Sequence, residues 1–160
     1  MEKQTTLDVS IVAANYNNGR YLNEFFDSIV RSGALPKEII FVDDGSTDDS
    51  LQIARQATDY VENLKIIALP RNVGFANALN AGISHCSGMF ILRIDPDDVL
   101  LPTRIQHQYD HMIQNGLDVV GGNALIFNSM TGAAMGTTNF PTEHRQRCRI
   151  RRWSDRDWRY

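Results

Sequence analysis

Between Val9 and Phe127 the chain alternates short β-branched runs with stretches whose apolar residues recur at helical spacing. That alternation admits few folds other than a parallel sheet with helices on its faces. Val9–Ala14 reads as a first strand, followed by a polar break over Asn15–Gly19. Tyr21, Leu22, Phe25, Phe26, Ile29 and Val30 then keep helical spacing, with Gly33 and Pro36 as stop signals. Glu38–Val42 is the second strand and ends in Asp43-Asp44-Gly45; Ser46 is the expected N-cap of the next helix, with Asp49 as its capping-box-like partner and Leu51, Ile53, Ala54 and Ala57 along it. Lys65–Leu69 is the third strand, closed by Pro70. Phe75, Ala76, Ala78, Leu79, Ala81 and Gly82 mark a small-residue helix able to lie close to the sheet. Met89–Ile94 is the fourth strand, and Pro102 suits the first turn of a helix carrying Ile105, Tyr109, Met112 and Ile113. Asp118–Phe127 reads as a fifth strand and Asn128–Gly132 as a turn; after Gly136 the pattern fades.

At 160 residues, with 42% apolar and 22% charged side chains, the chain is long enough for one globular domain with a sizeable core. No apolar run reaches the ~18–20 residues of a membrane span, and the polar N-terminus lacks the layout of a signal peptide. Cys86 and Cys148 stand far apart with no Cys-x-x-Cys spacing, which disfavours a disulfide framework or a zinc site and fits a cytoplasmic protein. The net charge of −3 hides an asymmetry: residues 1–144 hold 9 basic and 17 acidic side chains, residues 145–160 hold 7 and 2. An acidic body argues against nucleic acid as a partner. It suits recruitment of a cation.

The unusual polar residues fall at the strand ends, where open parallel sheets bind their ligands. Asn15, Tyr16 and Asn17 follow the first strand, Asp43 and Asp44 the second, Asn72 and Gly74 the third, and Asp95, Asp97 and Asp98 the fourth. If right-handed crossovers give the strand order 3-2-1-4, the carboxylates of the fourth strand stand beside the Asn15–Asn17 loop. Three carboxylates within Asp95-Pro96-Asp97-Asp98 repel one another unless something positive compensates, and Mg²⁺ or Mn²⁺ held by carboxylates and substrate phosphates is one answer. An acidic turn capping the following helix is the other. Asp43 has the position of a dinucleotide ribose ligand, yet Asn15-Tyr16-Asn17-Asn18-Gly19-Arg20 lacks the accompanying Gly-x-Gly-x-x-Gly; Asp43 and Asp44 also read as supports of the Gly45-Ser46 turn, Asp44 more so. There is no P-loop and no Gly-x-Ser-x-Gly elbow. His107 and His111 read as a solvated helix face, and His85 and Cys86 as structural.

Four segments together resemble glycosyltransferase family 2 of the GT-A fold: Val9–Asn17, Glu38–Asp48, Asn72–Ile83 and Ile94–Asp98. The resemblance covers about residues 8–127. It implies a Rossmann-like three-layer α/β/α sandwich with a mostly parallel sheet, its C-terminal part truncated, and a nucleotide-binding domain over residues 8–136 with an Arg-rich tail over 137–160. It implies sugar transfer, hexosyltransferase-like, from a nucleotide-diphosphate sugar such as a UDP-sugar to a glycan or lipid-linked acceptor hydroxyl, in cell-surface polysaccharide synthesis, with Mn²⁺ or Mg²⁺ as cofactor. Asn15 and Asp43 would then meet base and ribose, Asn72 and Gly74 would lie against the nucleoside, and Asp95 and Asp97 would meet the ribose and the metal-bound diphosphate. Ala14, Tyr16, Asn17, Asp44, Asn77 and Pro96 complete the expected donor site. Asp97, Asp95 and Asp98 are the expected metal ligands.

Two departures stand out. Ala14-Asn15 replaces the Pro-Thr that many members carry before Tyr-Asn, and no counterpart of the acceptor half or of its catalytic carboxylate base follows Phe127. Nothing in the spacing of Glu143, Asp155 or Asp157 supports them as that base. A nucleotide-binding remnant that transfers nothing is therefore a rival expectation. A metal-dependent nucleotidyltransferase is another, with Arg71 or Arg93 near the phosphates. The Arg-rich end reads as a solvated tail, or as a contact to anionic lipid at the inner membrane face. Trp153, Trp158 and Tyr160 would then be interfacial anchors; otherwise they belong to a core now absent.

Overall fold

A computed structural model describes residues 6–128 and 130–140. The elements run β1 (Thr6–Asn15), α1 (Gly19–Arg31), β2 (Leu35–Asp43), α2 (Ser50–Ala57), β3 (Leu64–Ala68), α3 (Phe75–Ile83), β4 (Phe90–Arg93), α4 (Arg104–Asn115), β5 (Leu125–Phe127) and β6 (Ala134–Thr137). The chain divides into two units, Met1–Val120 and Gly121–Tyr160.

In the first unit four strands form one sheet in the order β3-β2-β1-β4, every pair parallel, so β1 and β4 are neighbours. β1 and β2 are central and are buried on both faces over most of their length, which is why their sequences are continuous apolar runs rather than alternating ones. Alternate residues still choose opposite sides. Ile11, Ala13, Ile39 and Phe41 face a layer built from Leu22, Phe25, Phe26 and Ile29 of α1, Ala54 and Ala57 of α2, and Ile105 of α4. Val12, Ala14, Ile40 and Val42 face Ala78 of α3 on the other side. The result is the expected α/β/α sandwich. α3 approaches the sheet so closely that a Cβ on Gly82 would stand 2.6 Å from a Val12 methyl and 2.8 Å from a Val42 methyl.

Pro102 does not enter the first turn of α4. Thr103, at φ 66°, separates it from the helix, and the Thr103 N–H donates to the Ser32 carbonyl at 3.3 Å, which ties this loop to the end of α1. The histidines His107 and His111 are exposed along α4, as read.

The second unit contains an antiparallel hairpin, β5 with β6. The strand expected over Asp118–Phe127 is realised only at Leu125–Phe127, because Gly121-Gly122-Asn123 interrupts it. The turn at Asn128 is as read: its side-chain oxygen accepts the N–H groups of Met130 at 2.9 Å and Thr131 at 3.0 Å. β6 leaves no pattern in the sequence, since it is four residues long and carries Gly136. Most of the Arg-rich tail, with Cys148, Trp153, Trp158, Tyr160, Glu143, Asp155 and Asp157, lies outside the described residues. No described helix is long and apolar enough to cross a membrane.

Candidate functional site

Because the four strands are parallel, their carboxyl ends share one edge. Asn15 pairs in register with Asp43, and Asp43 with Ala68. The ladder closes with Asp44 N–H donating to Asn15 O at 2.8 Å, Leu69 N–H to Asp43 O at 2.8 Å, and Ile94 N–H to Val12 O at 3.1 Å. β2 and β3 lie to one side of β1 and β4 to the other, so the chain reverses its order of strand addition at β1. That is the switch point at which such sheets bind ligands.

At this point Asn15 and Asp43 are both buried and are hydrogen-bonded to each other: Asn15 Nδ2 donates to Asp43 Oδ1 at 3.1 Å and to Ser46 Oγ at 3.2 Å. The second Asp43 oxygen accepts the Ser46 N–H at 3.1 Å. Asn15 Oδ1 is buried and has no hydrogen-bond partner among the described residues. Ser46 is not the cap of α2. Its hydroxyl accepts the Asn17 N–H at 3.0 Å as well as the Asn15 amide, while Asn17 Oδ1 accepts the Thr47 N–H at 2.8 Å, so the loops after β1 and β2 are laced together. α2 starts later, at Ser50, and Asp49 makes no side-chain cap bond.

The capping work falls to Asp48. Its Oδ1 accepts the Ser50 N–H at 3.0 Å and its Oδ2 the Gly19 N–H at 2.9 Å, which puts one carboxylate on the N-termini of both α2 and α1. Burial alone would raise this carboxyl, but the bonds from Ser50 and Gly19 outweigh it and hold it below the usual carboxylate range.

Asp44 is buried and reaches across to the loop after β3. Its two oxygens accept the N–H groups of Val73 at 2.7 Å and Gly74 at 3.0 Å. Gly45 makes this approach possible: at φ 68°, a Cβ there would stand 2.6–2.8 Å from the backbone of Arg71 and Asn72. Asn72 Oδ1 also accepts the Gly74 N–H, and Asn77 donates from its amide to the Val73 carbonyl at 2.8 Å. Asp44 therefore shapes the Asn72–Gly74 loop rather than the Gly45-Ser46 turn.

On the other side of β1, the loop after β4 carries Asp95, buried Pro96, and exposed Asp97 and Asp98. Both Asp95 oxygens are engaged by Nη2 of Arg93. Asp97 accepts no hydrogen bond from any described residue. Desolvation at the loop base and then the charges of Asp97 and Asp95 push the Asp98 carboxyl up, although its side chain still meets solvent. Among the described residues no three His, Cys, Asp or Glu side chains form a ready-made cage for a metal ion. The donor set still fits a hard divalent cation of the kind that takes one or two carboxylates and completes its shell with water and phosphate oxygens.

The edge thus gathers Asn15, Asn17, Asp43, Asp44, Asn72, Gly74 and Asn77 into one hydrogen-bonded group around β1, β2 and α3, with the Asp95–Asp98 loop leaving the same edge from β4. Tyr16 is exposed beside it. Ala14 is the exception, for its side chain is spent in the core under α3 and only its backbone lies at the edge. The roles of Ser46, Asp48 and Arg93 have no signal in the sequence, since serine, acid and arginine types carry none until the loops are brought together.

The profile of glycosyl transferase family 2 matches residues 10–158. The chain is 36% identical over 122 residues to the putative glycosyltransferase EpsE of Bacillus subtilis, covering 75% of this chain and 44% of that protein. It is 33% identical over 124 residues to the O-antigen biosynthesis glycosyltransferase WbnJ of Escherichia coli, covering 75% of this chain and 47% of that one. It therefore spans less than half the length of these curated relatives. Among solved structures it is similar to residues 1–349 of TarS from S. aureus in complex with UDP, with a TM-score of 0.58 and 29% identity over 67% of this chain and 32% of that one. The same protein has been solved with UDP-GlcNAc, with a TM-score of 0.57 and 27% identity over 67% and 31% of the two chains.

Proposed function

The chain belongs to glycosyl transferase family 2, and we propose that it binds a nucleotide-diphosphate sugar across the carboxyl edge of β1, β2 and β4 as the donor half of a sugar-transfer reaction. The observation that carries this reading is the in-register Asn15–Asp43 pair at the switch point, with the Asp95–Asp98 loop emerging beside it. Similarity to a protein solved with UDP and UDP-GlcNAc supports a UDP-sugar as donor. Similarity to an O-antigen biosynthesis enzyme supports a role in polysaccharide synthesis with a glycan or lipid-linked acceptor. Such an acceptor would bring the chain to the cytoplasmic face of a membrane.

In this reading Asn15, Tyr16, Asn17 and Asp43 meet base and ribose, with Ala14 contributing backbone alone. Asn72 and Gly74 form the wall against the nucleoside, and Asp44 and Asn77 hold that wall in place. Asp95 and Asp97 face the ribose and diphosphate over the turn set by Pro96. Asp97, with Asp98 or Asp95, would hold Mn²⁺ or Mg²⁺. When bound, that ion supplies Lewis-acid stabilisation of charge on the departing diphosphate. The loops are tied by hydrogen bonds before the donor arrives, so little ordering entropy is lost on binding. An inverting transfer also needs a carboxylate base near the acceptor hydroxyl. No residue of this chain is assigned to it.

Calorimetric titration with UDP, with and without Mn²⁺, tests the proposal. Metal-dependent binding that disappears in Asp97→Ala, at an unchanged thermal midpoint, is the expected result. Metal-dependent binding that survives Asp97→Ala overturns the role given to that residue. Assays of UDP-sugar hydrolysis and transfer distinguish a transferase from a chain that only binds the donor.

A further inference from the structure

We propose that Arg93 is a positioning residue that occupies the Asp95 carboxylate and so withholds it from cation binding. The inference rests on the metal-assisted donor site proposed above and adds Arg93 to it.

Arg93 is the last residue of β4, and its backbone is fixed by pairing with Val12 of the central strand. Asp95 is two residues on, where an extended chain returns to the same face. The guanidinium engages both oxygens of that carboxylate. It also lies over the ring of Phe75, the first residue of α3, with Cζ 5.1 Å from the ring centroid. A strand and a helix therefore hold this one cation from two sides.

The guanidinium of Arg93 brings a positive charge to the loop. Asp95, Asp97 and Asp98 together would bring three negative charges to the loop, and Arg93 cancels one of them. What remains matches a divalent cation. Arg104, the other cation within electrostatic reach of Asp98, donates to Gln108 at 3.3 Å and makes no ion pair among the described residues. An ion that used Asp95 would have to displace the guanidinium and then sit beside it. The pair is about half exposed, 51% for Arg93 and 37% for Asp95, so its effect on ion binding is modest and screened by salt.

The test is Mn²⁺ binding to the full chain, followed by the loss of the free-ion electron paramagnetic resonance signal at low salt. Arg93→Met is expected to tighten Mn²⁺ binding by about two- to tenfold, since it removes a nearby positive charge and releases a carboxylate. Arg93→Lys, which keeps the charge, returns the affinity to within about twofold of the native chain. Asp95→Asn costs at least about threefold more in the Arg93→Met background than in the native one, because only there has Asp95 become a ligand. A loss of Mn²⁺ affinity in Arg93→Met, or equal costs of Asp95→Asn in both backgrounds, overturns the inference. Should Arg93→Met fail to fold, Arg93→Gln serves the same cycle. Asp97→Ala separates the two levels: if it binds Mn²⁺ like the native chain, the metal reading itself fails, whereas if it loses binding and Arg93→Met gains none, only the role of Arg93 falls.

Discussion

Replacing Asp44 by alanine removes one buried carboxylate and orphans two backbone donors at once. The native oxygens accept Val73 N–H at 2.7 Å and Gly74 N–H at 3.0 Å, and the residue is only 2% exposed, so water has little room to take over. Hydrogen bonds to a charged acceptor contribute about 1.5–3 kcal/mol each, part of which is offset because the variant no longer buries a charge. The expected cost is about 2–4 kcal/mol. That is a large share of the ~5–15 kcal/mol by which domains are stable. Asp44→Asn keeps the shape but can accept only one of the two N–H groups and turns an NH₂ toward the other, so it should lose at least half as much. Urea unfolding followed by far-UV circular dichroism measures the loss as a lower midpoint at unchanged slope. Amide hydrogen exchange should show Val73 and Gly74 losing protection first. A change below about 0.5 kcal/mol in Asp44→Ala would refute the idea that this carboxylate builds the Asn72–Gly74 loop.

Glu38 is buried, and burial alone would raise its carboxyl, but bonds from Lys65, Ser10 and Ser87 outweigh that and bring it down to about 2. The folded value lies below the ordinary 4.5, so this group stabilises the fold above that pH, and the contribution, on the order of 3 kcal/mol, is lost as pH falls from about 4.5 to about 2. In urea midpoints measured against pH, Glu38→Gln should be the less stable protein at neutral pH, and the gap should close across that window. Gly45→Ala combines a left-handed backbone with contacts under 3 Å to the Arg71–Asn72 backbone; it should cost about 2 kcal/mol or more in the same assay and weaken UDP binding.

The parallel sheet is legible because strand-like and helix-like segments alternate, and the apolar runs at Val9–Ala14 and Ile39–Val42 suit buried central strands; the order β3-β2-β1-β4 needs in addition that α3 cross on the face opposite α1 and α2, which handedness alone does not supply. The site's edge was legible for the same reason, since polar residues that interrupt buried strands fall at their ends. What could not be read was which side chain holds which loop. Ser46 has the sequence context of a helix cap, yet the loop from β1 passes close enough to claim its hydroxyl. Asp48 is unremarkable in the sequence beside Asp49, yet it serves both α2 and the start of α1 at Gly19, 29 residues before it. Arg93 showed only as a cation near phosphates, because its partner Phe75 arrives from a different element. Long-range contacts of this kind leave no periodic trace. Of the β5–β6 hairpin, the strand end at Phe127 and the turn at Asn128 are legible, whereas β6, four residues long with Gly136 on it, falls below any pattern.

The central claim is that a nucleoside diphosphate lies across the carboxyl edge of β1, β2 and β4. Amide chemical-shift mapping of the ¹⁵N-labelled chain titrated with UDP and Mg²⁺ tests it most directly. The account predicts saturable shifts concentrated at Asn15–Asn17, Asp43–Ser46, Asn72–Gly74 and Asp95–Asp98. Saturable shifts centred on the opposite, amino-terminal edge around Glu38 and Ser87, with these four loops unmoved, would contradict it.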